Sequence, residues 1–325
     1  MKKIVIDIYG ADAGEMTVIN GVVKAFKSGM DFFPVMVGDS ALVTRIFEEN
    51  GIGSDRYETL HPTDFITADE APAAVFRGRD ESSVVMGLLK LKNDPDCTAL
   101  LSPGCTGALL VGSICRLGLN KGIKYPALAS ALPCSGDNLI CLVDCGANVN
   151  CTAADLVNFA RMGNVFCKCF CGIENPRVGL MSVGREKGKG STLTTEAYGR
   201  IEELGLNFIG NLEGSDMVSE YADVIVTDGF SGNLLLKCTE ASGKAALAAI
   251  EELSLDEDTM QRIREVLIKK FDFNSRGAAT FLGTVKTVVK MHGIADEDTV
   301  VASIDQIIRL EKAGFSQYIA EEMNK

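Results

Sequence analysis

A chain of 325 residues, 46% of them hydrophobic, is long enough to bury one large core or two smaller ones without disulfide staples. Its 32 Lys and Arg face 44 Asp and Glu, and a net charge of -12 repels polyanions, so nucleic acid is not an expected partner. A small anion is not excluded, because salt screens distant charge beyond roughly 10 Å and local groups then decide.

The N-terminal part alternates short β-branched runs with longer helical patterns. "KKIVIDI" reads as a strand, "TVINGVVKAFKSG" as a helix, "FFPVMVGD" as a second strand and "SALVTRIFEENG" as a second helix. This rhythm predicts βαβ units, with parallel strands covered by helices on both faces. More buried-strand patterns follow at "TALLSPG", "PALASALP", "NLICLVDCG", "RVGLMSVG", "NFIGNLEG" and "DVIVTDGF". Residues 234–270 read as a helical hairpin, "LLLKCTEASGKAALAAIEELS" and "DEDTMQRIREVLIKKF", and "TVVASIDQIIRLEKAGF" as a last amphipathic helix. No low-complexity linker and no internal repeat interrupts the pattern. The expectation is one three-layer α/β/α domain over residues 1–325, with a mostly parallel sheet and the hairpin at 234–270.

The longest apolar runs fall short of the roughly 18 residues a membrane helix requires, and the first residues lack a signal-peptide pattern. A cytoplasmic protein is expected. The hairpin tip carries Asp256, Glu257 and Asp258, which anionic headgroups repel, so membrane association is at most peripheral. Eleven cysteines in such a chain read as reduced thiols, mostly small buried hydrophobes. In a strand, Cys167, Cys169 and Cys171 of "VFCKCFCGI" share one side, and their spacing is not that of paired zinc ligands. No metal is expected.

Ligands of open α/β sheets gather at the carboxyl ends of strands. Six loops rich in glycine and polar residues fall there, at 10–12, 104–107, 144–148, 184–190, 211–214 and 228–233, and are expected to share one cleft. In "SPGCTGALL" a strand runs into a helix start, where free backbone N–H groups attract anions, and Cys105 occupies that position. A thiol there is favoured as thiolate, which makes Cys105 a candidate nucleophile as well as a small packing residue. "GREKGKG" interleaves glycines with Arg185, Lys187 and Lys189, a second candidate anion site that is not a Walker A loop.

Together these stretches resemble the PlsX family of phosphate acyltransferases, in order and over nearly the whole chain. The matching segments are "DIYGADAG", "SPGCTGALL", "YPALASALP", "DCGANVNC", "FARMGNVF", "PRVGLMSVGREKGKG", "NFIGNLEGSD", "DVIVTDGFSGNLLLK" and "LGTVKTVVKMHG". The resemblance implies an α/β/α fold related to isocitrate and isopropylmalate dehydrogenases and to phosphate acetyltransferases, acting as a homodimer without a cofactor. It also implies transfer of an acyl group from an acyl-carrier-protein or acyl-CoA thioester to inorganic phosphate, the acyl phosphate feeding phospholipid synthesis. That chemistry asks for phosphate placement and for donors aimed at a tetrahedral oxyanion. Asp12, Cys105, Lys187 and His292 are the expected catalytic residues. Gly10, Gly104, Thr106, Gly107, Asn148, Lys189, Asn211, Glu213, Asp228, Gly229 and Asn233 are expected to hold phosphate and thioester.

The chain departs from the family pattern in several loops. The first loop usually runs Gly-Gly-Asp-His-Gly, and here it is Gly10, Ala11, Asp12, Ala13 and Gly14. Cys105 replaces a usual Asn, Arg185 a usual acid, Asn150 a usual Asp and Ile294 a usual Ser, and the stretch from Arg77 has fewer cations. Three readings follow: a phosphate acyltransferase, a relative that carries the acyl group on Cys105, or a non-catalytic paralogue that binds an acyl carrier or partner enzyme. Arg262, Arg264, Lys269 and Lys270 form the basic cluster on which an acidic carrier is expected to dock.

Overall fold

The computed structural model describes residues 2–76, 78–134, 138–253, 255–271 and 277–325. Arg77 and the side chain of Lys269 lie outside the described residues. In chain order the elements are β1 (Lys3–Asp7), α1 (Glu15–Lys27), β2 (Phe33–Val37), α2 (Ser40–Glu49), β3 (Glu58–Leu60), α3 (Ser83–Asn93), β4 (Cys97–Ser102) and α4 (Thr106–Gly112). Next come β5 (Ala127–Pro133), β6 (Leu139–Val143), α5 (Ala153–Phe166), β7 (Val178–Met181), α6 (Thr192–Glu202), β8 (Phe208–Leu212), β9 (Val224–Val226), α7 (Gly229–Glu251) and α8 (Glu257–Phe271). The chain closes with β10 (Ala279–Leu282), β11 (Thr287–Lys290), α9 (Glu297–Lys312) and α10 (Phe315–Met323). These elements form two compact units, residues 1–126 with 277–325, and residues 127–276.

Unit 1 orders its strands β3-β2-β1-β4-β11-β10, parallel except for the β10–β11 pair. Alternation along β1 decides which helices cover which face. Ile4, Ile6 and Ile8 join Val18, Ile19 and Val22 of α1 and Val300, Ile304 and Ile307 of α9 in one fully apolar cluster. Val5 points the other way, toward α3, where Gly87 sits so close that an added Cβ would lie 3.1 Å from Leu100 and 3.5 Å from Val5. The i, i+4, i+7 spacing of Val300, Ile304 and Ile307 is what turns one stripe of α9 inward. Asp296 caps that helix by accepting from Thr299 N at 2.8 Å.

Unit 2 orders its strands β5-β6-β9-β7-β8, parallel except for β5–β6. Helix α5 starts at a capping box, Thr152 with Asp155, and lies close on the sheet, because Gly163 faces Val143 and Val224 with no room for a side chain. Helices α7 and α8 form the expected hairpin, but α7 begins at Gly229, five residues before the expected start at 234, because Asp228 accepts from Ser231 N at 2.9 Å and caps it there.

Residues 167–171 do not form a strand: they continue α5 as a wider, π-helical turn that ends at Gly172, whose φ of +74° suits a left-handed stop. An alternating run this short has no period long enough to separate strand from helix, and the helix before it carries through. Cys167 is buried there and Cys169 and Cys171 are half-buried. All eleven cysteines are free thiols, and Cys97, Cys141, Cys145 and Cys167 lie in the interior. Among the described residues no group of three His, Cys, Asp or Glu is arranged to hold a metal ion.

Candidate active site

In unit 1 three loops at the carboxyl ends of β1, β4 and β11 open onto a cavity of about 620 Å³, completed by residues 65–68. Gly10, Asp12, Gly104, Cys105, Thr106 and Gly107, all expected from the sequence, line it together. Their meeting depends on two glycines. Gly10 has φ +104°, and a Cβ there would sit 2.7 Å from the Gly104 Cα, so the first loop reaches the second only without a side chain. Gly293 plays the same part toward Asp12, whose N–H donates to the Gly293 carbonyl at 2.7 Å and whose carboxylate occupies the space a side chain would need.

The β4 loop is held from below by a buried acid. Asp7 ends β1 with no exposed surface and accepts from Ser102 Oγ at 2.8 Å and from Tyr9 N at 3.1 Å. Ser102 Oγ in turn accepts the N–H of Gly104 at 3.0 Å. Burial raises the Asp7 carboxyl to about 6, against the lowering effect of those hydrogen bonds. Past Gly104, Cys105 is the N-cap of α4, and its side chain makes no capping bond. The carbonyl of Cys105 accepts from Leu109 N at 3.0 Å, so the N–H groups of Thr106 and Gly107 belong to the first turn, where a helix offers no acceptor of its own. The opposite wall is apolar: the Tyr9 and Phe65 rings stack with centroids 5.3 Å apart, beside Ile66 and Ala68.

Sequence reasoning missed one cavity residue of chemical weight, Lys290. It ends β11 two residues before His292, half-buried, and its Nζ donates to the carbonyl of Pro103 at 3.3 Å and to that of Met291. Burial lowers its ammonium to about 8, with Cys105 and Asp12 pulling the other way. The signal was present in "TVVKMHG", a lysine closing an apolar strand, but only the strand's end at the cavity shows that it matters. His292 itself is exposed, accepts from Ile294 N at 3.3 Å through Nδ1 and does not line the cavity.

The remaining expected residues belong to unit 2. Asp144 is fully buried and accepts from the N–H groups of Leu128, Gly146, Ala147 and Asn148 and from the Asn148 side-chain amide at 2.7 Å. Asn148 is thus a turn-forming residue whose amide donates inward. Its carbonyl receives the N–H of Gly229, and Gly229 and Asn233 pack against this 144–148 loop while Asp228 caps α7. Asn211, 3% exposed, donates to the Glu186 carbonyl at 3.0 Å, and its Oδ1 is buried without a partner. Glu213 caps the short turn at 214–218. The cations of the glycine-rich loop are mostly engaged. Arg185 pairs with buried Asp216 at 2.6 Å and lies over Tyr221, and Lys187 pairs with Glu202 at 2.7 Å and lies over Tyr198. Lys189 is exposed, and among the described residues its ammonium is unpaired. The stretch after β7 is therefore an ion-paired surface loop at Arg185 and Lys187 rather than a row of free cations.

Comparison with known proteins follows the same outline. The family described as fatty acid synthesis protein matches residues 2–318. A phosphate acyltransferase of Clostridioides difficile is 35% identical over 99% of this chain and 96% of its own. Two solved structures share the fold. A phosphotransacetylase from Streptococcus pyogenes has a TM-score of 0.67 at 15% identity, covering 98% of this chain and 94% of its own. A branched-chain phosphotransacylase from Enterococcus faecalis has a TM-score of 0.62 at 15% identity, covering 95% and 98%.

Proposed function

We infer, because this chain belongs to the PlsX family of fatty acid synthesis proteins, that it is a phosphate acyltransferase, transferring an acyl group from a thioester to inorganic phosphate for phospholipid synthesis. The observation that carries the site assignment is the unit 1 cavity, where the glycine loops after β1 and β4 meet around a helix start. A phosphate oxygen attacks the thioester carbonyl, the carbonyl oxygen becomes a tetrahedral oxyanion, and collapse breaks the C–S bond and releases thiolate. Phosphate is already anionic at neutral pH, so the site's task is placement and charge stabilisation more than proton removal. The N–H groups of Thr106 and Gly107 are suited to an anion, Asp12 is placed to manage a proton at the rim, and the Tyr9–Phe65 wall suits the apolar part of the donor.

The donor we propose is an acyl-carrier-protein or acyl-CoA thioester, and the working form a homodimer in the cytoplasm, where eleven free thiols are at home. No described helix is long and apolar enough to cross a membrane. For carrier docking, Arg262 and Arg264 of α8 are the accessible basic residues, although Arg262 pairs with Asp258 and Arg264 with Glu251 and Glu257. Incubation of the purified protein with inorganic phosphate and a panel of acyl-CoAs and acyl-carrier proteins should yield acyl phosphate. Carrier binding without acyl phosphate from any donor would instead mark a non-catalytic paralogue. Light scattering on the eluting protein tests the dimer.

A second route is favoured by one observation, that Cys105 lines the same cavity and its side chain makes no capping bond. Intact-protein mass after exposure to acyl donor decides it: an acyl adduct lost in Cys105→Ser supports transfer through the cysteine, and an unmodified Cys105 with turnover unchanged in Cys105→Ser excludes it.

A further inference from the structure

We propose that Lys290 is the cation that binds the phosphate substrate in the unit 1 cavity, an assignment that rests on the phosphate acyltransferase reading above. Among the described residues lining the cavity, Lys290 is the sole lysine or arginine, and it shares the space with the carboxylates of Asp12 and Glu15. Without it the walls present only negative side-chain charge to an incoming dianion. With it, an ammonium stands beside the Pro103–Gly107 loop, held there by its bond to the Pro103 carbonyl, and offers an oxyanion a charged donor.

Two lysines of the same β hairpin show the difference between a structural and a ligand-binding ammonium. Lys286 gives all three of its donors to backbone carbonyls, those of Leu91 at 2.6 Å, Asp94 at 2.9 Å and Cys97 at 2.7 Å. Lys290 gives two, to the carbonyls of Pro103 and Met291, which leaves one for a ligand. Those two bonds also aim it, since the Pro103 carbonyl belongs to the loop that carries Gly104 and Cys105. It ends a strand that is hydrogen-bonded on both sides, to β4 and to β10, which fixes its backbone.

The ammonium is poised for pH control. The titratable groups around it are Asp12 from the β1 loop, Glu15 at the start of α1, Tyr9, Cys105 from the β4 loop and His292 on its own loop. Because burial has brought Lys290 to about 8, its charge is present below that pH and is lost above it. Phosphate affinity should therefore fall on the alkaline side, and a side chain that stays charged should abolish the fall.

The test uses the intact protein and three variants, with inorganic phosphate as the varied substrate. Lys290→Met should raise the KM for phosphate by ~10-fold or more while the acyl donor's KM stays within ~2-fold, the pattern of lost phosphate binding. Lys290→Arg should keep phosphate KM within ~5-fold of wild type and lose the alkaline fall above about pH 8, since a guanidinium does not titrate there. Lys286→Met should leave phosphate KM unchanged. The proposal is overturned if Lys290→Met binds phosphate like wild type, if Lys290→Arg keeps the alkaline fall, or if Lys286→Met weakens phosphate equally. Calorimetric titration of inorganic phosphate into wild type and Lys290→Met should show the same loss of affinity without turnover. An enzyme that binds phosphate through Lys290 but makes no acyl phosphate would refute the functional reading and not this one.

Discussion

At the residue scale, the buried carboxyl of Asp7 has the clearest consequence. Its folded value of about 6 lies above the ordinary 3.8, so the folded state holds this proton more tightly than the unfolded chain does. The stability it contributes is complete below about pH 3.8 and is lost as pH rises through 6, which amounts to about 3 kcal/mol for a shift of this size. An amide in its place still accepts from Tyr9 N and has no charge to bury. Urea unfolding of wild type and Asp7→Asn should show the variant gaining relative stability between about pH 4 and pH 7. Parallel curves for the two proteins would mean that Asp7 does not titrate in this window. The same residue supports the cavity, since its partner Ser102 holds the N–H of Gly104. Asp7 stood in plain view in "KKIVIDI", yet a strand's last acid reads as a solvated end until a neighbouring strand buries it.

At the element scale, the β10–β11 hairpin positions more than its eight strand residues suggest. Lys286 sits between the two strands and reaches Leu91 near the end of α3, Asp94 just past it and Cys97 at the start of β4, donating its ammonium to the backbone carbonyl of each. Lys286→Met should lower the unfolding free energy by about 2–3 kcal/mol, as expected for loss of charged hydrogen bonds to buried carbonyls. Hydrogen exchange would quicken first around residues 91–97, and a midpoint within error of wild type would count against this anchoring role. Helices were the more legible elements. The stripes of α1 and α9 and the caps at Asp228 and Asp296 are local chemistry and can be read from spacing. Short strands β3, β10 and β11 carried too few residues for a period, and the cysteine turn at 167–171 took its conformation from the helix before it.

At the scale of the whole chain, charge and length set limits that the site then obeys. With 44 acidic against 32 basic residues, the protein should not retard a DNA duplex in a mobility assay even at low salt, whereas it should bind firmly to an anion exchanger. A stable DNA complex would contradict the charge argument. Phosphate binding is compatible with the same net charge because the cavity assembles one ammonium and a few N–H groups within a screening length. The chain forms two compact units, and the expected residues sort between them: Gly10, Asp12 and 104–107 in one, Asn148, Asn211, Glu213, Asp228, Gly229 and Asn233 in the other.

What the sequence by itself determined is whatever depends on neighbours along the chain: the βαβ alternation, the amphipathic helices, the glycine loops at strand ends and the ordered motifs that mark the family. What only the tertiary structure decided is which polar groups are already spoken for. Lys187 and Arg185 read as anion ligands and are ion-paired, Asn148 reads as a donor to substrate and donates to Asp144, and Lys290, which the sequence did not single out, lines a cavity. The physical reason is that a charge or an amide acquires its role from the groups packed against it. Those groups come from elements far away in sequence, 187 residues apart for Lys290 and Pro103.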